Sequence, residues 1–382
     1  MIYLDNNATS RIAPEVRDAL LPLLDEEYGN PSSKNALGER AKEAVMTARQ
    51  HVATAVGASP SEVVFTSGAT ESNHTAILAA LKHFDGRRRH IVSTQVEHPS
   101  TLSLLKQLQQ EGVRITLLGV NAQGELDLDE VEAAIGDDTA LVSVMWANNE
   151  TGVIFPVEAI ARLAKSHGAL FHTDAVQAVG RLALDWQYSA IDLLSFSGHK
   201  LHAAKGSGVL LVRKGYTLSP LLFGSQERNR RGGTENMLGI VSLGVAATLL
   251  DTSDMLRIAV LRDHLETQLT FALPFAQINA CSASRVANTS NIRFGELNAE
   301  ALQTQLESAG LVAALGAACQ AGGSAPSHVL SAMGLDKAAA NASLRFSLSR
   351  YTTRSEIERA VALISQCARH LEWQHSPQPV FL

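Results

Sequence analysis

Two groups that could share one reaction centre end neighbouring pieces of this chain. Lys200 closes Leu193-Leu194-Ser195-Phe196-Ser197-Gly198-His199-Lys200, and Asp174 opens Asp174-Ala175-Val176-Gln177 upstream. Each follows an apolar, β-prone run, Ala169 to Thr173 before the acid and Ile191 to Phe196 before the lysine stretch. Adjacent strands of one sheet would bring the acid and the amine to the same edge. That pair suits pyridoxal phosphate (PLP). A lysine amine condenses with its aldehyde, and a carboxylate keeps its pyridine nitrogen protonated so that the ring accepts electrons.

Other residues extend this chemistry. Thr66-Ser67-Gly68-Ala69-Thr70-Glu71-Ser72 turns from strand to helix with small residues. Its free backbone N–H groups suit a phosphate, Gly68 and Ala69 allow close approach, and Thr70 adds a hydroxyl. Taken alone, the segment reads equally as a Ser/Thr cap with a capping box. Ser197 and His199 flank the lysine as further phosphate donors, and Thr234, in Arg230-Arg231-Gly232-Gly233-Thr234-Glu235, is another. His98 directly follows a strand, where an imidazole can stack on a cofactor ring and shuttle protons; a surface or capping histidine is the alternative. Asn149 suits the ring's phenolic oxygen and Gln177 the same oxygen or the lysine-derived imine, although both amides also form turns. Arg345, in an alternating run, can fork the carboxylate of an amino-acid substrate. On spacing alone it reads equally as an exposed strand residue. Cys319 lies in Gly316-Ala317-Ala318-Cys319-Gln320-Ala321-Gly322-Gly323, an aperiodic run of small residues that reads as a mobile loop with an available nucleophile. Cys281, ending an apolar run, and Cys367, in the last helical stretch, read as structural.

The elements that must position these groups alternate. Candidate strands are Glu62 to Thr66, His90 to Thr94, Arg114 to Leu118, Ala140 to Trp146, Ala169 to Thr173, Ile191 to Phe196 and Gly208 to Val212, with helical patterns between most of them. The expected fold class is α/β, a large domain with a mainly parallel mixed sheet. A single helical stretch, Asn236 to Phe271, connects it to a smaller α+β C-terminal domain with strands near Ser290 to Phe294 and Ser343 to Ser349 and a last helix from Thr353 to Trp373. The expected boundaries are 15–260 for the large domain, with 1–14 and 261–382 forming the small one. The first helical segment, Pro14 to Tyr28, is expected to pack on the C-terminal unit.

Composition narrows the partners. The chain has 382 residues, 46% hydrophobic, enough for two cores, and a net charge of -6 that gives no push toward nucleic acid or anionic membrane. The run Arg87-Arg88-Arg89-His90 reads as a solvated turn. No window has the apolar length of a membrane helix. The acid at Asp5 stands where a secretion signal would be apolar. The odd count of three cysteines, without CxxC or zinc spacing, fits a reducing cytoplasm and no metal.

Taken together, these motifs make the chain resemble the class V, fold-type I PLP enzymes, and among them the cysteine desulfurases of the NifS/IscS type. The matching segments run from Tyr3-Leu4-Asp5-Asn6-Asn7-Ala8-Thr9 through Val96-Glu97-His98, Trp146 to Gly152, His172 to Gly180, Ser197 to Lys200 and Gln226 to Asn236 to Cys319 to Leu330 and Arg345 to Thr353. The resemblance implies an obligate homodimer with PLP on Lys200, Asp174 at the pyridine nitrogen and His98 over the ring. It puts Asn149 and Gln177 at the phenolic oxygen, Ala69, Thr70, Ser197 and His199 around the phosphate, and Arg345 on the substrate carboxylate. Thr234 would reach the phosphate of the other subunit. The implied reaction takes sulfur from L-cysteine, leaving L-alanine and a Cys319 persulfide for a protein acceptor. That acceptor would serve iron–sulfur cluster assembly or a dedicated pathway such as DNA phosphorothioation or tRNA thiolation. Two segments depart from the common pattern, Leu222-Phe223-Gly224-Ser225 and the Gly-Ala-Ala-Cys-Gln-Ala-Gly-Gly loop, and both bear on the acceptor rather than the chemistry. The competing implications are a selenocysteine lyase, another class V lyase or aminotransferase, or a non-catalytic adaptor on the same fold.

Overall fold

A computed structural model describes residues 1–316 and 326–375. Among them the largest sheet has seven strands, ordered Val63–Thr66, Gly208–Val212, Leu193–Ser197, Leu170–Asp174, Thr139–Ser143, His90–Thr94 and Arg114–Leu118. Every pairing from Leu193–Ser197 outward to Arg114–Leu118 is parallel, and Gly208–Val212 runs antiparallel to both neighbours. The expected mainly parallel mixed sheet is therefore present. Its middle strands are buried on both faces, as Ala140-Leu141-Val142 requires, because helices such as Ala69–His83 and Val157–Ser166 cover them.

A second, antiparallel sheet is ordered Ala314–Leu315, Ser343–Ser347, Thr289–Phe294 and Ala276–Ile278. It packs with Asp254–Ala272 and Arg354–His375 around a separate core that includes Ile2, Leu4, Ile258, Leu265, Phe294, Phe346 and Ile364. Ile2–Tyr3 pairs with Leu311–Val312. The chain then runs beside Ser343–Ser347, where Ser347 N donates to Leu4 O at 2.7 Å and Asn6 N to Ser347 O at 3.2 Å. The next residues cross to the carboxyl end of the large sheet.

Three sequence expectations are corrected. The connector is two helices, Met237–Thr248 and Asp254–Ala272, not one. The intervening turn is held by Ser253 N donating to Asp251 Oδ1 at 2.8 Å and by Arg350 donating to Leu249 O. The break has a reason: Ile240, Leu243 and Ala246 belong to the large core, whereas Ile258, Leu261 and Leu265 belong to the second. The first helix, Pro14–Asp25, packs on Met237–Thr248 and lends Val16 to the large core, not to the C-terminal unit. The basic run is more than a solvated turn. Arg88 Nη1 donates to the carbonyls of Thr139 (2.9 Å), His167 (3.2 Å) and Gly168 (2.8 Å). His90 is buried between Thr139 Oγ1 and Thr116 Oγ1.

His172 performs a related task at the centre of the sheet. Its ring bridges Ser143 Oγ and Ser195 Oγ, each at 2.9 Å, and so ties three strands together two residues before Asp174. Burial pushes its pKa down to about 3. An unfolded histidine starts to bind a proton near pH 6.5, so this site withdraws stability as pH falls from there toward 3, by about 1.4 kcal/mol per unit. His172→Gln cannot titrate but loses bridging geometry. We expect it to be less stable than the native chain at pH 7.5, with the gap in denaturation midpoint narrowing steadily between pH 6.5 and 4.5. A gap independent of pH would show that His172 is not held neutral.

Candidate active site

The carboxyl ends of the parallel strands open into a cavity of about 660 Å³ whose walls include Asp174, Gln177, His98, Asn149, Ser197, His199, Lys200 and Arg345. Lys200 ends a single helical turn, Gly198–Lys200, directly after its strand. Its Nζ donates to the carbonyls of Asn7 and Ala8, both at 2.6 Å. Asp174 is the last residue of the neighbouring strand, paired in register with Ser195. Its Oδ2 accepts from Asn73 Nδ2 at 2.7 Å and its Oδ1 from Val176 N at 3.0 Å. Two donors fix the carboxylate and leave it acceptor capacity.

His98 caps the helix Pro99–Gln110. Its Nδ1 accepts from Ser100 N at 3.2 Å, which assigns the ring proton to Nε2. Burial, opposed by nearby Asp174 and reinforced by Lys200 and His328, lowers its pKa, so the neutral imidazole is the resting form near neutral pH. His199 accepts or donates at Thr9 Oγ1 over 3.2 Å, and burial beside Lys200 and Lys205 pushes it down to about 4.

Ser67 and Gly68 lead into the helix Ala69–His83, with Ala69 and Thr70 on the cavity wall. The neighbouring strand comes close to this turn. A Cβ on Gly208 would stand 2.6 Å from Gly68 Cα, so only glycine fits there. Glu71 Oε2 accepts from Ser67 N at 2.8 Å, and its Oε1 accepts from Arg231 Nε at 2.8 Å. The cradle is thus held from outside by the segment that precedes Thr234.

Arg345 is 4% exposed, which removes the reading as a surface strand residue. Its Nη2 donates to Asp5 Oδ1 at 2.7 Å and its Nη1 to Asn149 O at 3.1 Å, while Nε has no partner among the described residues. A buried guanidinium with spare donors can take a further carboxylate. Buried Gln177 Oε1 and Asn73 Oδ1 likewise lack partners.

Thr234 is exposed and does not line the cavity of its own chain. Cys319 lies outside the described residues. Cys281, read as structural, is exposed, and Cys367 is half-buried.

Several residues of the site receive no role from the sequence. Asn7 is a hub. Its carbonyl accepts from Lys200 and Gln177, its Nδ2 donates to Asn149 O and Thr289 Oγ1, and its Oδ1 accepts from Asn288 Nδ2. Asn73 and Lys205 also went unassigned. So did two buried acids. Glu97, pushed up to about 8 by burial, accepts from Thr94 Oγ1 and Met145 N. Glu150, pushed up to about 7 by burial, is partly offset by Ser327 and Arg345. The available signal was position after a strand end, which Glu97 and Glu150 share with His98 and Asn149.

Comparisons with known proteins agree with this arrangement. The family model described as Aminotransferase class-V matches residues 2–360. A curated "Cysteine desulfurase" of Trichormus azollae is 48% identical over 97% of this chain and 94% of its own length. The "Cysteine desulfurase NifS" of Azotobacter vinelandii is 47% identical over 94% of this chain and 90% of its own. A solved structure titled "NIFS-LIKE PROTEIN" superposes with a TM-score of 0.89 at 34% identity, covering 97% of this chain and 99% of that one. With a buried arginine, an acid and a lysine converging on one cavity, and with these similarities over nearly its whole length, the chain belongs to the class V aminotransferase family, among relatives that are cysteine desulfurases.

Proposed function

We propose that this chain is a PLP-dependent cysteine desulfurase that takes sulfur from L-cysteine onto Cys319 and leaves L-alanine. The observation that carries this reading is the convergence of Lys200, Asp174, His98 and Arg345 on one cavity. The residues fit the cofactor. Gln177 and Asn73 line the cavity beside the oriented Asp174 carboxylate, and their buried Oε1 and Oδ1 have no partner among the described residues. The turn of residues 67–70 supplies helix N-terminal donors on the cavity wall. Lys200 would hold PLP covalently, Asp174 would hold its pyridine nitrogen, and Ala69, Thr70, Ser197 and His199 would surround its phosphate. Asn149 and Gln177 would serve the phenolic oxygen. Bound there, PLP withdraws electrons from the substrate α-carbon.

The chain's own groups do the rest. Arg345 orients the substrate by its carboxylate, sharing its fork with Asp5. Lys200 Nζ, held by two carbonyls, takes and returns the α-proton. His98, neutral and protonated on Nε2, would cover the ring and pass protons. The Cys319 thiolate attacks the substrate sulfur; the Cβ–S bond breaks as an S–S bond forms, and the carbon skeleton gains the protons that make it alanine. Thiol plus cysteine thus gives persulfide plus alanine, with no outside oxidant.

We further propose a homodimer in a reducing, cytoplasmic setting, with two domains divided near residues 14 and 260 and a protein thiol or scaffold as sulfur acceptor. Exposed Leu221, Leu222 and Phe223 stand close in sequence to Thr234, which its own cavity does not use. Both facts support Thr234 serving the partner's phosphate. Among the described residues no helix is long and apolar enough to cross a membrane.

Four outcomes test this reading. Purified protein with PLP and L-cysteine should form alanine, and sulfide only with added thiol. Cys319→Ala should keep the cofactor absorbance and lose alanine formation, whereas undiminished turnover would move the chemistry to another class V lyase. Arg345→Ala should raise the half-saturating cysteine concentration roughly ten- to hundredfold, the loss of a charge-assisted pair. An unchanged value would remove Arg345 from substrate binding. Light scattering should give twice the chain mass at micromolar concentration. A monomer with full turnover would contradict the shared site.

A further inference from the structure

Asn73 is 1% exposed, sits inside the helix Ala69–His83 and lines the cavity. Nothing about the helix calls for an asparagine there. In a helix interior the residue is a weak former, and burying its amide is unfavourable unless both ends are bonded. Here only one end is. Its Nδ2 donates to Asp174 Oδ2 at 2.7 Å, and its Oδ1 has no partner among the described residues. The partner fixes the orientation of the amide, because a carboxylate only accepts.

The same Nδ2 lies 3.5 Å from Thr101 Oγ1, and the buried Thr101 donates its backbone N–H to the carbonyl of His98 at 2.9 Å. Three elements therefore meet at Asn73. They are its own helix, which opens with Ala69 and Thr70 one turn earlier, the strand that ends in Asp174, and the helix capped by His98. With PLP in the cavity, these would hold the phosphate, the pyridine nitrogen and the ring face in turn. The other oxygen of Asp174 is held by Val176 N, within the acid's own turn, so Asn73 is what ties the acid to a different element.

That bond also bears on a proton. A carboxylate beside a pyridine nitrogen competes with it for one proton. Donors to the carboxylate stabilise its charged form and weaken it as a base, which leaves the proton on nitrogen. Glu97 does not oppose this. Burial pushes it up to about 8, with the Asp174 charge adding to the rise, so near pH 7 it is mostly neutral. His98, lowered by burial, is neutral there as well.

We propose that Asn73 is a positioning residue for the cofactor: its amide fixes the span between Asp174 and the phosphate turn, and keeps the proton shared with the pyridine on the ring nitrogen. This rests on the reading of the cavity as a PLP site. The unpartnered Oδ1 follows from it, since the amide turns its donor end to the acid.

The test uses the full chain loaded with PLP isotopically labelled at the ring nitrogen. Asn73→Leu keeps the size of the side chain, and Asn73→Ser keeps the wall polar; both remove the donor. Two quantities are read: the nitrogen NMR shift of the ring, which reports its proton, and the affinity of the apoprotein for PLP. The native chain should show a protonated ring nitrogen at neutral pH. Both variants should move the signal toward that of neutral pyridine and bind PLP about tenfold more weakly, the effect of one lost charge-assisted hydrogen bond. Thr101→Val, which leaves the bond to Asp174 in place, should keep the native signal. Weaker binding with the nitrogen signal unmoved is what a packing defect gives, and it would overturn the proposal. A native chain whose ring nitrogen is already neutral would do the same. A native chain that takes up no PLP removes the cofactor reading and this inference together, whereas a protonated native ring with unmoved variants removes this inference alone.

Discussion

The parallel register between Leu170–Asp174 and Leu193–Ser197 is the constraint on which the site depends. It sets Asp174 opposite Ser195, so the acid and the turn that ends in Lys200 leave the sheet at the same edge. A slip of one residue would turn Asp174 into the opposite face and separate the pair. His172, bridging Ser143 and Ser195, pins that register from within the sheet, where a buried imidazole with both nitrogens satisfied is worth more than its individual bonds. The antiparallel strand Gly208–Val212 on the far side brings Gly208 against Gly68, at the N-terminus of a helix whose first residues line the same cavity as the lysine.

Much of this was legible. Short apolar, β-prone runs located all seven strands of the large sheet, three of them to the residue. The residues at their carboxyl ends, Asp174, His98, Asn149 and Lys200, followed from the same rule. Where sequence reading stopped, the cause is long-range packing. Nothing local marks Asn7 as a hub, since its partners Asn149, Lys200 and Asn288 lie far along the chain. The connector reads as one helix because its apolar content is unbroken; its break answers to two cores, which only the fold defines. Arg88 looked solvated because the carbonyls it binds belong to other loops.

Buried charge gives the cavity its character. Arg345 is held by the Asp5 carboxylate and the carbonyl of Asn149, which offset its positive charge before any substrate arrives. Such a balance keeps the desolvation cost of an isolated guanidinium down, while the guanidinium, which lines the cavity, has more donors than these two bonds use. Glu97 and Glu150 both hold protons to unusually high pH, one behind His98 and one beside Ser327. The second core, to which the N-terminal strand and Ser343–Ser347 both contribute, therefore supplies one wall of the site and the large sheet the other.

The most direct test of the account is borohydride reduction of the PLP-loaded protein, followed by digestion and peptide mass mapping. The arrangement of Asp174 and Lys200 predicts a single phosphopyridoxyl adduct, on the peptide carrying Lys200, lost in Lys200→Ala. An adduct on Lys205 or another lysine, or none at all, would contradict it.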